Sequence, residues 1–250
     1  MRYKMVSVKN VTRLSEAGDA LLRRAQGMPG MGLIWGQTGY GKTTATTWFV
    51  NQCHGVYVRA LATWSPGTML GTILRELDMN PRATNCARMV EQIVEQLAVS
   101  GRPVFIDEAD YVVESKRMTE TLRDLHDLAS VPVVLIGMAG IQRKIALRQQ
   151  FSGRIAQWVD FKPCDFEDAT ALARELCEVT VEEDLLARLQ KAAAGSARLL
   201  VVGLARIEQS AKARGLGSIS NSQWKHGDNF FLGDAPTSNA RNKRPGEGSK

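Results

Sequence analysis

The chain is poor in the residues that build metal centres and disulfide frameworks. It has four cysteines and three histidines in 250 residues. Cys53, Cys86, Cys164 and Cys177 show no C-x-x-C spacing, and no histidine stands at a finger-like distance from them. The neighbours Cys53-His54 alone are not a ligand set. These absences exclude a zinc ribbon and a small disulfide scaffold. Scattered cysteines in a chain this long read as free core thiols in a reducing compartment. The opening Met1-Arg2-Tyr3-Lys4 lacks the apolar segment of a secretory leader. Long hydrophobic runs are missing as well. The most apolar stretch, Val131 to Ile141, holds Pro132 and two glycines and is too short to cross a bilayer. The expected location is the cytoplasm. No internal repeat interrupts the reading.

What is present begins with a mild excess of positive charge. The formal net charge is +6 and the sequence pI about 9.3. That balance suits a nucleic-acid partner, but it also suits proteins that never touch one. The length fits one large domain, or one domain with a smaller companion.

The most informative stretch is Gly36-Gln37-Thr38-Gly39-Tyr40-Gly41-Lys42-Thr43. It meets every fixed position of the phosphate-loop pattern G-x-x-x-x-G-K-[ST]. Its setting matters as much. Gly32-Leu33-Ile34-Trp35 reads as a buried strand before it, and Thr44 to Val50 can wind into a helix after it. Glycines let successive backbone N–H groups turn inward onto phosphate oxygens, and a new helix adds its positive end. In this pattern Lys42 reaches the β- and γ-phosphates, and the Thr43 hydroxyl holds Mg²⁺. The expected cofactors are therefore ATP and Mg²⁺, bound by residues Gly36 through Thr43 with Thr44 beside them.

Along the rest of the chain, strands and helices alternate. An amphipathic helix is expected from Asn10 to Arg24. Further strands are expected at Val56–Ala60, Arg102–Glu108, Val131–Gly137 and Trp158–Phe161. Helical spacing recurs at Thr68–Leu77, Arg88–Val99 and Thr119–Ala129. Strands apolar throughout, separated by helices, predict a parallel sheet covered on both faces. Beyond Cys164 no strand pattern remains. Helices are expected at Glu167–Glu178, after a capping box at Thr180-Val181-Glu182-Glu183, and at Ser196–Lys212. From Ser218 the composition turns polar, which predicts a flexible tail in which Trp224, Phe230 and Phe231 are the only large apolar groups. The expected organisation is a lead-in helix (1–31), an α/β core (32–163), a small helical domain (164–217) and a tail (218–250).

A second motif completes the chemistry. Val104-Phe105-Ile106 ends in Asp107-Glu108. Asp107 is placed to hold Mg²⁺ through water, and Glu108 to polarise an attacking water as general base. The separation between Lys42 and Asp107 leaves room for an inserted strand between the two motif strands. Two arginines fit the remaining roles around a γ-phosphate. Arg154 precedes the fifth strand, with Arg148 as its rival, and is expected to act from a neighbouring subunit. Arg198, in Gly195-Ser196-Ala197-Arg198, is expected to act from the helical domain.

Together the phosphate loop, the Val104–Glu108 segment, the Arg154 segment and the Gly195–Arg198 segment resemble an AAA+ ATPase over roughly Val6 to Gly215. Within that class the chain is similar to the B proteins of Mu-like transposing phages and related ATP-binding transposon regulators. The resemblance implies an AAA+ P-loop NTPase core with a five-stranded parallel sheet in the order 5-1-4-3-2, and a helical lid. It implies ATP held between adjacent subunits of a ring or helical filament, and catalysis by Lys42, Glu108 and Arg154. It also implies sequence-nonspecific binding of double-stranded DNA, which is presented to a transposase in a bacterial or phage-infected cell. Those phage proteins carry an additional N-terminal helix-turn-helix domain, and this chain has only residues 1–31 ahead of its core. Many members carry a polar sensor residue at the end of the fourth strand, where this sequence reads Ile136-Gly137-Met138-Ala139.

The candidate DNA contacts are cations in segments that follow strands: Arg59, Lys116, Arg117, Arg143 and Lys144. Arg241, Lys243 and Arg244 in the tail add weaker attraction. Two other classes of function share the same ATP site: an ATPase acting on proteins in secretion or remodelling, and a DNA-replication initiator or loader.

Overall fold

A computed structural model describes residues 1–25, 27–80, 85–224 and 229–231. Five strands form one parallel sheet: β1 (Met31–Gly36), β2 (Val56–Arg59), β3 (Val104–Asp107), β4 (Val133–Met138) and β5 (Ile155–Phe161). Their order is β2-β3-β4-β1-β5, the 5-1-4-3-2 arrangement expected from the resemblance. β1 sits inside the sheet, flanked by β4 and β5, and its two faces are both apolar. Leu33 points into one core and Ile34 into the other. That is why the strand sequences show no polar alternation.

Helices cover both faces. α1 (Lys9–Leu22) and α2 (Lys42–Cys53) pack over the Ile34 side, which also holds Phe105, Ile136 and Val159. α3 (Pro66–Glu76), α4 (Cys86–Ser100) and α6 (Lys116–Ala129) cover the Leu33 side. Three short helices, α5 (Asp110–Glu114), α7 (Ile141–Ala146) and α8 (Gln149–Ser152), lie in the connections after β3 and β4. α9 (Phe166–Leu176), α10 (Glu183–Ala193) and α11 (Ala197–Ala213) form the helical lid, whose core continues the Ile34-side core without a break. The fold is an α/β P-loop NTPase of the AAA+ type.

The lid departs from the expectation in two places. Thr180 does not cap a helix. Thr180–Val181 form a short strand, β6, paired in parallel with β7 (Ser218–Ile219), and α10 starts after Glu182 without a side-chain cap. The Thr180 and Glu182 N–H groups donate to the Gly217 and Ile219 carbonyls, each at 3.0 Å. That pairing outweighs the local capping pattern. The chain after Ser218 therefore does not leave the fold where a flexible tail was expected. Trp224 and Phe230 are buried against the lid and stack with centroids 5.4 Å apart, with the Arg188 guanidinium over the Phe230 ring. The tail cations Arg241, Lys243 and Arg244 lie outside the described residues.

The thiols are free. Cys164 and Cys177 are buried, and burial pushes both up to about 11. Cys53 is half-buried and Cys86 is exposed, so only two of the four are the core thiols expected. Among the described residues no helix is long and apolar enough to cross a membrane, and no group of His, Cys, Asp and Glu could hold a metal ion by itself.

Candidate functional site

The phosphate loop joins the end of β1 to α2. Gly39 and Gly41 both have φ of +87°, a conformation that side chains resist. Gly39 has a second constraint. A Cβ there would stand 2.5 Å from Ser196 Oγ, because the lid packs directly on the loop. The Arg198 N–H donates to the Gly39 carbonyl at 3.0 Å, and Ser196 Oγ approaches the same oxygen at 3.4 Å. The start of α11 and the start of α2 thus meet at one place.

Lys42 Nζ donates to the loop carbonyls of Gly36 (2.8 Å) and Gln37 (3.0 Å). Burial lowers its pKa, while Asp107, Glu108 and Asp110 oppose that shift, and the nearby Arg198 adds to it. Thr43 Oγ1 donates to Asp107 Oδ2 at 2.9 Å. Asp107 is only 3% exposed. The donor set, one hydroxyl and one carboxylate beside a phosphate loop, is the hard-oxygen set that Mg²⁺ takes together with nucleotide phosphates. The residues present therefore fit Mg²⁺.

Glu108 follows Asp107 with φ of +53°, a left-handed backbone that a non-glycine residue rarely adopts. Its N–H donates to Asp107 Oδ1 at 2.8 Å. Its carboxylate is not free: Arg59 Nη2 pairs with Glu108 Oε1 at 3.2 Å. Arg59 ends β2 and lies opposite Asp107 in the sheet register. Two sets of expected residues, one for catalysis and one for DNA, therefore touch.

The end of β4 supplies the wall where the resemblance places a polar sensor. Met138 carries no polar group, but its Sδ lies 3.6 Å from Thr38 Oγ1 of the loop. Its N–H donates to Asp110 Oδ2 at 2.7 Å. A Cβ on Gly137 would stand 2.5 Å from Ile141 Cδ1 and 2.7 Å from the same Asp110 oxygen, so both neighbours keep this position small.

These elements enclose a cavity of about 630 Å³. One end is the phosphate loop with Asp107, Glu108 and Arg198. The other end is apolar, walled by Val6, Val8, Phe161, Leu172 and Val201. The lead-in segment is therefore part of the pocket, which the sequence reading did not foresee. It is tied down on both sides. Asn10, buried, exchanges two hydrogen bonds with Lys162 (2.7 and 3.0 Å), and Lys9 pairs with Asp165 (2.5 Å) and Glu167 (2.6 Å) of the lid. A second residue missed was Tyr57, whose hydroxyl donates to Asp107 Oδ2 at 2.7 Å. Burial and Asp107 push its pKa well above the usual tyrosine value. Nothing local in Val56-Tyr57-Val58 signals that contact.

Arg154 and Arg148 are not in this cavity. Arg154 makes a two-pronged pair with Asp127 (3.0 and 3.3 Å), and Arg148 donates to Thr119 Oγ1 at 2.8 Å. Of the expected DNA contacts, Lys144 pairs with Glu114 at 3.2 Å. Lys116, Arg117 and Arg143 are exposed and have no ion-pair partner among the described residues.

The class of fold is thus an AAA+ nucleotide-binding fold with its phosphate loop, acidic strand end and lid arranged around one pocket. Residues 25–145 match the family described as AAA domain. Among solved structures the chain is similar to the ORC2 protein of Aeropyrum pernix in ADPNP and ADP complexes. That likeness has a TM-score of 0.67 and 19% identity over 89% of this chain and 68% of that one. It is also similar to the Aeropyrum pernix ORC1 protein in complex with DNA (TM-score 0.61, 18% identity, 86% and 62% covered). A third is Cdc6p from Pyrobaculum aerophilum (TM-score 0.62, 17% identity, 84% and 63% covered). The chain spans between 62% and 68% of the length of these three structures. No curated protein matches by sequence. At such identities the likeness establishes the fold.

Proposed function

We propose that this protein is an ATP-dependent AAA+ ATPase that binds duplex DNA without sequence preference, assembles on it as a homo-oligomer and delivers it as target to a transposase. The apolar lining of the cavity would take the base of ATP and the loop its phosphates. Lys42 and the N–H groups of the loop hold the phosphates, and Arg198 approaches from the lid. Thr43 and, through water, Asp107 would hold magnesium, which would supply charge neutralisation at the phosphate oxygens. Glu108 takes the proton of the attacking water.

The observation that carries the DNA reading is the Arg59–Glu108 pair. A cation expected on DNA phosphates holds the general base. Binding of Arg59 to a phosphate frees Glu108, so the same contact that reads DNA permits hydrolysis. The neighbouring cations support this. Lys116 and Arg117 occupy the first turn of α6, where the helix dipole disfavours positive charge, and no acid stands there to offset them. That placement suits an anionic partner. The oligomer reading is supported by the open edge of β5, on which Trp158 is 42% exposed, and by Leu147, 85% exposed. Delivery to a transposase rests on the sequence resemblance.

The test is binding of a random-sequence duplex by fluorescence anisotropy with ATP, with ADP and without nucleotide, followed by electron microscopy. Salt-sensitive binding only with ATP, with rings or filaments on DNA, is expected, and Lys42→Ala abolishes nucleotide and DNA binding together. DNA binding by Lys42→Ala equal to wild type overturns the nucleotide-gated reading. Absence of DNA binding in every state points to a protein-directed ATPase. A second reading, a replication initiator or loader, is favoured by the likeness to the ORC1 protein in complex with DNA. A dependence of target joining on this protein in a transposase reaction separates the two.

A further inference from the structure

Asp107 Oδ2 accepts two hydroxyls at once, from Thr43 (2.9 Å) and from Tyr57 (2.7 Å). They come from different parts of the fold. Thr43 opens α2, and Tyr57 lies in β2. Each hydroxyl has one proton and two lone pairs. Thr43 is the group that must turn a lone pair to a cation on the loop, so its hold on Asp107 changes when the site fills. Tyr57 has no such second duty. Its backbone is locked to β3 by the register Tyr57↔Phe105 and Arg59↔Asp107, and the Ala60 N–H donates to the Asp107 carbonyl at 2.8 Å. On the helix side, the Thr47 hydroxyl donates to the Thr43 carbonyl at 2.9 Å, which ties the turn that carries Thr43. The phenol therefore meets the helix residue Thr43 only through the carboxylate oxygen that both hydroxyls share.

We propose that Tyr57 is a positioning residue for the magnesium–nucleotide complex. It holds the Asp107 carboxylate facing the Thr43 hydroxyl, so that the site selects nucleotide carrying its divalent cation over bare nucleotide. The proposal rests on the nucleotide reading above. It deepens that reading by assigning the discrimination to a hydroxyl on the neighbouring strand. A phenylalanine at this position fills the same space between the strands and removes only the donor.

The experiment is Tyr57→Phe, read by fluorescence of an ATP analogue labelled on the ribose, with the cation as the variable. Wild type and variant are first titrated with the analogue in EDTA, then with Mg²⁺ at fixed analogue. The expected result is equal affinity in EDTA and a Mg²⁺ midpoint about tenfold higher in the variant, the lower end of the loss seen when a partner of a metal-binding carboxylate is removed. A shape-filling role moves neither number, so coincident Mg²⁺ midpoints overturn the proposal. So does loss of affinity in EDTA by a variant that retains the wild-type unfolding temperature, because Tyr57 then serves the loop itself. Failure of the nucleotide reading is distinguishable, since wild type then binds no analogue in either condition.

Discussion

At the scale of single residues, the contact with most functional content is Arg59 on Glu108. Arg59 is 64% exposed on its side chain and Glu108 34%, so water screens the pair. An exposed pair of this kind is worth on the order of 0.5–1 kcal/mol. Under the proposed role of Glu108, its release is therefore expected to raise DNA-free ATP turnover by about two- to fivefold. Arg59→Ala is expected to show that rise and to lose further stimulation by duplex DNA, measured by phosphate release with and without DNA. Unchanged basal turnover with stimulation intact separates Arg59 from the switch. The phosphate loop and Asp107-Glu108 were legible in the sequence because they are local patterns, each tied to a strand end. Tyr57, Asp110 and Val6 were not, because their partners lie across the sheet or in another segment. Only the register of β2 on β3 brings Tyr57 to Asp107.

At the scale of elements, α1 and α2 are held by a tight contact between a glycine and a ring. Gly18 of α1 faces Phe49 of α2, and a Cβ on Gly18 would stand 2.2 Å from the ring carbon Cζ. Phe49 is buried and packs edge-on against Phe105 of β3, so it has little room to retreat. Gly18→Ala gains about 1 kcal/mol of helix propensity. Overpacking costs about 1–3 kcal/mol. The net expectation is a lower unfolding temperature in the wild-type background. In a Phe49→Leu background the clash is relieved, and the same substitution is expected to stabilise. A thermal-unfolding double-mutant cycle checks the change of sign. Long, periodic elements such as α1, α4 and α6, and the apolar strands, were readable because burial repeats along them. The helices α5, α7 and α8 span four to six residues and carry no such period. β6 and β7 have two residues each, and their pairing partners are far apart in sequence, so the Thr180 capping pattern was the only local signal and it misled.

At the scale of the whole molecule, the geometry decides which pocket Arg154 can serve. Its carbonyl accepts the N–H of Met31, at the start of β1, whereas the phosphate loop follows the end of that strand at Gly36. Six residues of strand span roughly 20 Å. Arg154 is therefore at the opposite end of the sheet from the pocket of its own chain, so the proposed contact with a γ-phosphate would be made to a neighbour. Its two-pronged pair with Asp127 holds it at that end. Arg154→Ala is then expected to bind nucleotide normally as a monomer while losing the part of ATP turnover that rises with protein concentration. Glu108→Gln is expected to bind ATP and stay on DNA longer, because the assembled state no longer hydrolyses. The two defects lie in different halves of a shared site. A Glu108→Gln subunit still offers its arginine, and an Arg154→Ala subunit still has its general base. Mixing the two inactive variants should therefore restore part of the turnover, at junctions where the first supplies Arg154 to the pocket of the second. A mixture that assembles on DNA yet remains as inactive as either variant alone would falsify the assignment of Arg154 to the neighbouring pocket.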